Sequence, residues 1–567
     1  MLVRFARLCV PILLLACTLA AQEAPSKKPD STPAKDKCSI AGLVIKLGTS
    51  EPLKKTNVYL QKEDDQRSGY SAHTDIAGHF AIRGIDPGRY RLRVDHLGYV
   101  SQSYGEDSSG THGAVLALNP GRNIQDLLFR MVPWAVISGR VTDEDGDPVS
   151  GVEVQAMRRF FRVGKQTLDI RHSEQTNDLG EFRLYGLAKG RYFIRALAER
   201  GWHSAQFDSS ADDADSSSQS GYAPVYYPGT ADQARAAMIE VAPGQEIPGI
   251  DFALLLVRTF RIRGHVFDSV LGKAPNNCFM ELVRHDPTVA SYGNRGGMTD
   301  CSKGPFEFTD VTPGSYAVVA MLRDSNKRRS ARAIVEVDNT NVDDVRVVVG
   351  AGITLIGRLY VEGREPLDPS EVSLWLSTPD QEMFGSAGAV IKPDGTLTIE
   401  NVPEGTLEFA AWGRPPGYSP DFYLKSARLN GEDILEKGFT VSGGSARGPL
   451  EVVLSSASAR IEGAVTDEND LPSAGAVVVL VPEGDRRKQF RLYKDTTTDQ
   501  YGQFILRGVA PRTYKLFSWK EVETNAWEDP DYLAPFESQG TKVTAEENGR
   551  VTTRLKLIAT EKSKPSP

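Results

Sequence analysis

The chain has 567 residues, 40% hydrophobic and 25% charged, with a formal charge of −8. That is too long for one core and predicts about three to five domains. The mildly acidic balance argues against a nucleic-acid or anionic-membrane binder, and 52 Gly with 33 Pro and few long apolar helical patterns point to turns and β structure.

Arg4 and Arg7, the apolar run "LCVPILLLA" and the small residues "TLAA" form a secretory signal over residues 1–21. The run is too short to span a bilayer. A rival reading is a lipobox, "LLAC", with Cys17 as the lipidated residue. Loss of the signal removes two arginines and no acids, taking the charge from −8 to −10. Residues 22–37, "QEAPSKKPDSTPAKDK", and the tail 561–567 hold almost nothing to bury and read as disordered. No other stretch is suited to span a membrane as a helix.

From residue 38 one pattern recurs. The stretch "TDIAGHFAIRGIDPGRYRLRV" sets a grid of Gly78, Phe80, Ile82, Ile85, Gly88, Tyr90 and Leu92. The same spacing returns from Gly180, Gly304, Gly395 and Gly502, and five copies in register establish an internal repeat. Within the grid, Phe80-x-Ile82 and Tyr90-x-Leu92-x-Val94 alternate with period two, so each reads as a strand with one buried face. The other face of the second strand carries Arg89, Arg91 and Arg93, expected in water. "GIDPG" supplies the turn. The two strands read as an antiparallel pair, and the Tyr hydroxyl can reach back to nearby backbone; the fourth copy has Leu407 there.

A second element precedes each grid: "IAGLV" at Gly42, "ISGRV" at Gly139, "IRGHV" at Gly264, "LIGRL" at Gly357 and "IEGAV" at Gly463. Each is followed by a Pro (Pro52, Pro148, Pro275, Pro366, Pro472) and another alternating run. With further apolar pairs after the grid, each unit has six or seven short strands over roughly 90–125 residues, the count of a β-sandwich. The fold class is therefore all-β: five tandem antiparallel β-sandwiches, Ig-like in strand count. Their boundaries are 38–132, 133–257, 258–350, 351–456 (degenerate) and 457–560. The second carries an acidic, Ser-rich loop, "DSSADDADSSSQSG". Units this size own their cores, so the expectation is a rod or flexible string of beads.

Removing the signal leaves Cys38, Cys278 and Cys301. An exported compartment permits Cys278 and Cys301 to pair, with a buried free thiol as the alternative; Cys38 is left over at the edge of a first strand.

"ISGRVTDEDGDPVSGVEVQA" followed by "TNDLGEFRLYGLAKGRYFIRA" resembles the carboxypeptidase regulatory-like domain. The resemblance implies a transthyretin-like sandwich close to Cna-B-type and starch-binding-like modules, best in units one, two and five. That domain is an accessory and brings no peptidase activity.

Chemistry is sparse. None of the eight histidines has Glu three residues on, so no zinc-peptidase pair is present. There is no Gly-x-Ser-x-Gly elbow, phosphate loop or Cys-x-x-Cys, and no cofactor is called for. The chain is expected not to be an enzyme. "TDEDGDP" places Asp143, Asp145 and Asp147 in alternation, a weak calcium candidate against a plain turn. Aromatic platforms for sugars would come from Trp202, Tyr222, Tyr226 and Tyr227, then Trp519 and Trp527, with core packing as the competing role. Trp375 and Trp412 are expected in the core. The leading expectation is an exported, non-enzymatic adhesion or binding protein with polysaccharide as favoured ligand. Alternatives are a spacer or scaffold at the cell envelope, or an accessory to an outer-membrane transporter or hydrolase.

Overall fold

In the computed structural model, the described residues run from 36 to 559, apart from 65–67, 107–112, 163, 199–219, 285–294, 325–326, 364–366, 378–385, 403–404, 413–420 and 442–447. The signal segment 1–21 with Cys17, nearly all of the 22–37 tether, Trp202, most of the acidic loop and the tail lie outside them.

Five stretches of chain each close a core of their own, centred on Ile40 and Phe80, Ile137 and Phe182, Ile262 and Phe306, Leu355 and Leu397, and Ile461 and Phe504. In the first sandwich, strand Cys38–Lys46 lies between His79–Ile85 and Asn123–Met131. The facing sheet carries Gly69–His73, Asn57–Lys62 and Gly88–Asp95 in that order. The third and fifth sandwiches repeat this plan, and the second follows it with shorter closing strands. In the fourth, Ser386–Ile391 pairs with both Ser373–Ser377 and Thr396–Val402, so its two sheets merge into one nine-stranded path.

Two local features differ from the sequence expectation. The two grid strands are not a hairpin: in the first sandwich, His79–Ile85 and Gly88–Asp95 belong to opposite sheets. Just before the crossing, the sixth residue after the grid Gly has positive φ in every copy: Gly84, Gly186, Asp310, Asn401 and Gly508. Left-handed backbone favours Gly, Asn and Asp, and it breaks the alternation as a bulge: Ile85 still pairs with Cys38, and the chain leaves for the other sheet beyond it. The closing strand of each unit also runs parallel, not antiparallel, to its first strand, as in Cys38–Lys46 with Asn123–Met131. This explains the Gly in "IAGLV" and its counterparts. At Gly42, Gly139, Gly264, Gly357 and Gly463 an added Cβ would strike a backbone carbonyl oxygen of that closing segment.

The tyrosine of the grid points its hydroxyl back four residues in four copies. Tyr90 donates to Asp86 O (2.7 Å), Tyr192 to Ala188 O (2.7 Å), Tyr316 to Thr312 O (2.8 Å) and Tyr514 to Ala510 O (3.0 Å). Burial pushes the Tyr514 hydroxyl up to about 12.

Cys278 and Cys301 are bonded, with Cα atoms 6.3 Å apart, and Cys38 is a buried free thiol. The fifth sandwich adds short helical turns to its sheets. Its strand Val477–Pro482 is buried on both faces, as a continuous apolar run should be. The second face is covered by the short helical segments Ala526–Glu528, Pro530–Leu533 and Ala534–Gln539. Trp519 and Trp527 lie in that second core with Phe517 and Leu533, so they are packing residues and not sugar platforms.

The sandwiches do not form a simple string. The fifth touches the first, through Arg89 and Asp499 (3.1 Å). It touches the second, where Asn525 donates to Phe161 O (3.3 Å) and the rings of Phe161 and Tyr532 stand 6.0 Å apart. It touches the fourth, where Glu436 meets Arg491 (3.3 Å) and Arg512 (2.7 Å). Arg89, expected in water, is therefore largely enclosed between Glu63 and Asp499. Period-two alternation gives which side a residue faces; it carries no record of another domain standing on that side.

Candidate functional site

Strand Glu181–Leu187 of the second sandwich buries Phe182, Leu184 and Leu187 and turns Arg183 and Tyr185 outward. It pairs with Ala135–Thr142 so that Arg183 stands beside Ser138 and Glu181 beside Arg140. The outward face of this pair floors a groove of about 770 Å³ lined by Ser138, Arg140, Glu174, Asn177, Glu181, Arg183, Tyr185 and Asp251 among others.

Tyr185 is 37% exposed. Its ring is held by Trp134 (centroids 5.7 Å apart) and His172 (4.4 Å). Trp134 follows the passage from the first sandwich, where its backbone N–H donates to Gly98 O (3.0 Å). His172 comes from Lys165–Gln175, an edge strand of the opposite sheet, and sits 3.2 Å from Glu174. The polar rim is ordered by its own contacts. Arg140 lies 3.4 Å from Glu181, Asn177 Nδ2 donates to Glu181 (3.1 Å), and Arg183 lies 3.6 Å from Glu246. Such a site offers a flat aromatic face edged by hydrogen-bonding groups of both signs. It is suited to stack a ring and bond its substituents, with no activated nucleophile.

The residues proposed from sequence fall elsewhere. Trp202 is outside the described residues. Tyr226 is 4% exposed and packs with Met157, Leu168 and Phe193, beneath the Arg195 guanidinium. Tyr227 leans on the second core with its ring 6.1 Å from Phe252. Tyr222 is half-buried against the same core and donates its hydroxyl to Glu144 (3.2 Å). The three do not make an exposed platform, because short strands at Ser220–Ala223 and Val225–Tyr226 draw this apolar segment onto the sandwich. Trp375, expected in the core, is 44% exposed and lies against Gly388 of the next strand.

Asp143 accepts from the N–H groups of Asp145 (3.0 Å) and Asp147 (2.8 Å) through one carboxylate oxygen, which makes it the organiser of a tight turn. Among the described residues no group of three or more His, Cys, Asp or Glu is placed to hold a metal ion.

Sequence reasoning missed Trp134, His172 and Tyr185. One signal could have found Tyr185. The equivalent grid position is Arg83, Thr309, Glu400 and Arg507 in the other copies, so an aromatic ring there is particular to unit two.

Among the described residues no helix is long and apolar enough to cross a membrane, which leaves strand-built barrels unaddressed. No curated protein matches the chain. Similar solved structures include the streptococcal ancillary pilin (10% identity, 55% of this chain and 99% of that one, TM-score 0.18). The minor pilin GBS52 of Streptococcus agalactiae is another (11%, 39% and 96%, 0.21), as is BcpA, the major pilin subunit of Bacillus cereus (10%, 55% and 99%, 0.14). Likeness of this degree carries no argument about activity or partners. The family model that does match is the carboxypeptidase regulatory-like domain, over residues 39–121. Residues 39–121, most of the first sandwich, are thus similar to the carboxypeptidase regulatory-like domain.

Proposed function

We propose that the protein is an exported, non-enzymatic binding protein and that the groove beside Tyr185 takes a carbohydrate chain. The observation that carries this reading is the exposed ring of Tyr185, braced by Trp134 and His172 above a rim of arginines and carboxylates. A sugar presents an apolar face of C–H groups and an equatorial rim of hydroxyls; the ring takes the first and the charged rim the second. Export rests on the charged and apolar pattern of residues 1–21. The non-enzymatic part is supported by the accessory nature of the regulatory-like domain and by the absence of catalytic motifs from the sequence.

The test is retention of the chain lacking residues 1–21 on a panel of insoluble polysaccharides. Tyr185→Ala is expected to lose retention about tenfold or more, the scale of one aromatic contact, with an unchanged melting temperature because the ring stands outside the core. Retention equal to wild type, or no retention of wild type on any polysaccharide, removes the reading. A scaffold reading would then gain, since the contacts of the fifth sandwich with three others suit a compact scaffold better than a spacer.

A further inference from the structure

The contact between the first and fifth sandwiches joins two strand edges. Leu116–Leu118 pairs within its own sandwich with Gly88–Asp95, and Lys494–Thr497 is the outermost strand of its sheet. Residues 113–117 lie along 497–500. Val115 and Asp499 bridge in parallel, Val115 N–H donates to Thr498 O (3.3 Å), and the Thr497 hydroxyl donates to Gly113 O (2.8 Å). The Gln500 side-chain amide accepts from Ala117 N–H (2.9 Å) and donates to Ala117 O (2.8 Å), as a neighbouring strand would. Arg89 adds an ion pair to Asp499, whose residue is 1% exposed.

Ala114 and Val115 are fully buried, yet neither belongs to a sandwich core. The fifth sandwich adds to their cover, with Gly475 against Ala114 and the backbone at Thr498 and Asp499 against Val115. The contact is otherwise made of hydrogen bonds and the Arg89–Asp499 ion pair, and the first and fifth sandwiches each hold a complete core without it. It can therefore open without unfolding either. The first sandwich leads into the second through one passage, where Val100 N–H donates to Val132 O and Trp134 N–H to Gly98 O. A turn at that passage frees both edges, and free strand edges are templates for pairing.

We propose that this edge pairing is exchangeable: the 113–117 edge of one copy takes the 497–500 edge of a second copy. The partner's chemistry is fixed by the contact already made inside the chain, because each bond that closes one copy can be remade between two. The surfaces differ, so exchange gives either a reciprocal dimer or an open head-to-tail series. Closure within the chain benefits from a high effective concentration, so exchange is favoured in concentrated protein or when chains fold together.

Cysteine pairing tests this with full-length chains lacking residues 1–21. The double variant Ala117→Cys/Gln500→Cys reports closure within one chain as a fast-running oxidised monomer on a non-reducing gel. The single variants Ala117→Cys and Gln500→Cys, carrying different tags, are unfolded, mixed and refolded together at high concentration. A bond between them can form only across two copies. The mixed dimer is expected to exceed each homodimer by about tenfold, the bias of a preference near 1.4 kcal/mol, and to fall to the homodimer level when Val115→Asp is placed in the Ala117→Cys chain. Mixed dimer no more abundant than homodimers, while the double variant closes within one chain, overturns the proposal. Failure of the double variant to close also overturns it, because the edges would then not meet at all. Neither outcome depends on whether the groove beside Tyr185 binds a carbohydrate.

Discussion

Asp268 ends the strand Phe260–Asp268 with no exposed side-chain surface, and Arg329 on Lys327–Val337 meets it with two parallel bonds of 2.8 and 2.7 Å. Asp268 also accepts the N–H groups of Val270 (2.9 Å) and Leu271 (3.3 Å). Replacing Arg329→Met keeps most of the apolar bulk and removes the countercharge. A buried charge left without its partner costs about 3–5 kcal/mol, more than a hundredfold in the opening constant at ~1.4 kcal/mol per decade. The double variant Asp268→Leu/Arg329→Met leaves no charge but orphans the turn N–H groups, so its cost is about 1–3 kcal/mol. Hydrogen exchange of Phe260–Asp268 and Val342–Val349, corrected for intrinsic rate, reads this locally, with the fifth sandwich as internal reference. The pH dependence has a fixed sign. Hydrogen bonding to Arg329, followed by the turn N–H groups, holds the Asp268 carboxyl below its usual 3.8 against the opposing effect of burial. In wild type its stabilisation is thus complete above that value and is lost as pH falls through the lower folded value. In Arg329→Met the orphaned carboxylate is relieved by protonation, so the gap to wild type narrows on acidification. A loss under about 1 kcal/mol at neutral pH, against the 3–5 expected, or a double variant worse than Arg329→Met, would refute the reasoning.

Three further outcomes are expected. Thiol titration of unreduced, denatured protein lacking residues 1–21 should find one thiol, Cys38, and Cys278→Ser/Cys301→Ser should lower stability of the third sandwich by ~3 kcal/mol for a loop of this length; three thiols would contradict the bond. Gly357→Ala drives a Cβ into the Leu450 carbonyl and should destabilise the fourth sandwich by about 1–3 kcal/mol in urea unfolding, whereas Gly431→Ala, where space is open, is limited to the strain of its positive φ. Tyr514→Phe should cost about 1 kcal/mol through the lost bond to Ala510 O, with melting temperature as the readout.

The repeat made much of this architecture legible. Five copies of the Gly-x-apolar-x-apolar spacing gave strands, faces and cores correctly at Phe80, Phe182, Phe306, Leu397 and Phe504, because burial on a sheet has a period of two and local sequence records it. The left-handed positions were also written in the chain, as Gly84, Gly186, Asp310, Asn401 and Gly508, but their meaning depended on knowing that the strand is bulged there just before the chain changes sheet. The tight glycines were legible as a motif and not as a cause, since the carbonyl that excludes a side chain at Gly42 belongs to Leu127, far along the sequence.

The site was the least legible part. An aromatic-rich segment such as "YAPVYYPGT" looks like a platform, yet Tyr226 fills a core and Tyr227 leans on one. Tyr185 of the groove is braced by Trp134 and His172, which come from two other segments, and no local pattern links the three. By itself the sequence determined what each short segment must do: which residues turn, which alternate, and which face is buried. Tertiary structure alone decided what stands on the outer faces. Arg89 faces another sandwich and not water, Trp519 lies beneath a helical cover, and Tyr185 is left open beside a groove. The physical reason is that which face of a strand is buried within its sandwich is recorded by the alternation of adjacent residues. Contact between sandwiches is set by surfaces hundreds of residues apart, whose meeting leaves no periodic mark in either segment.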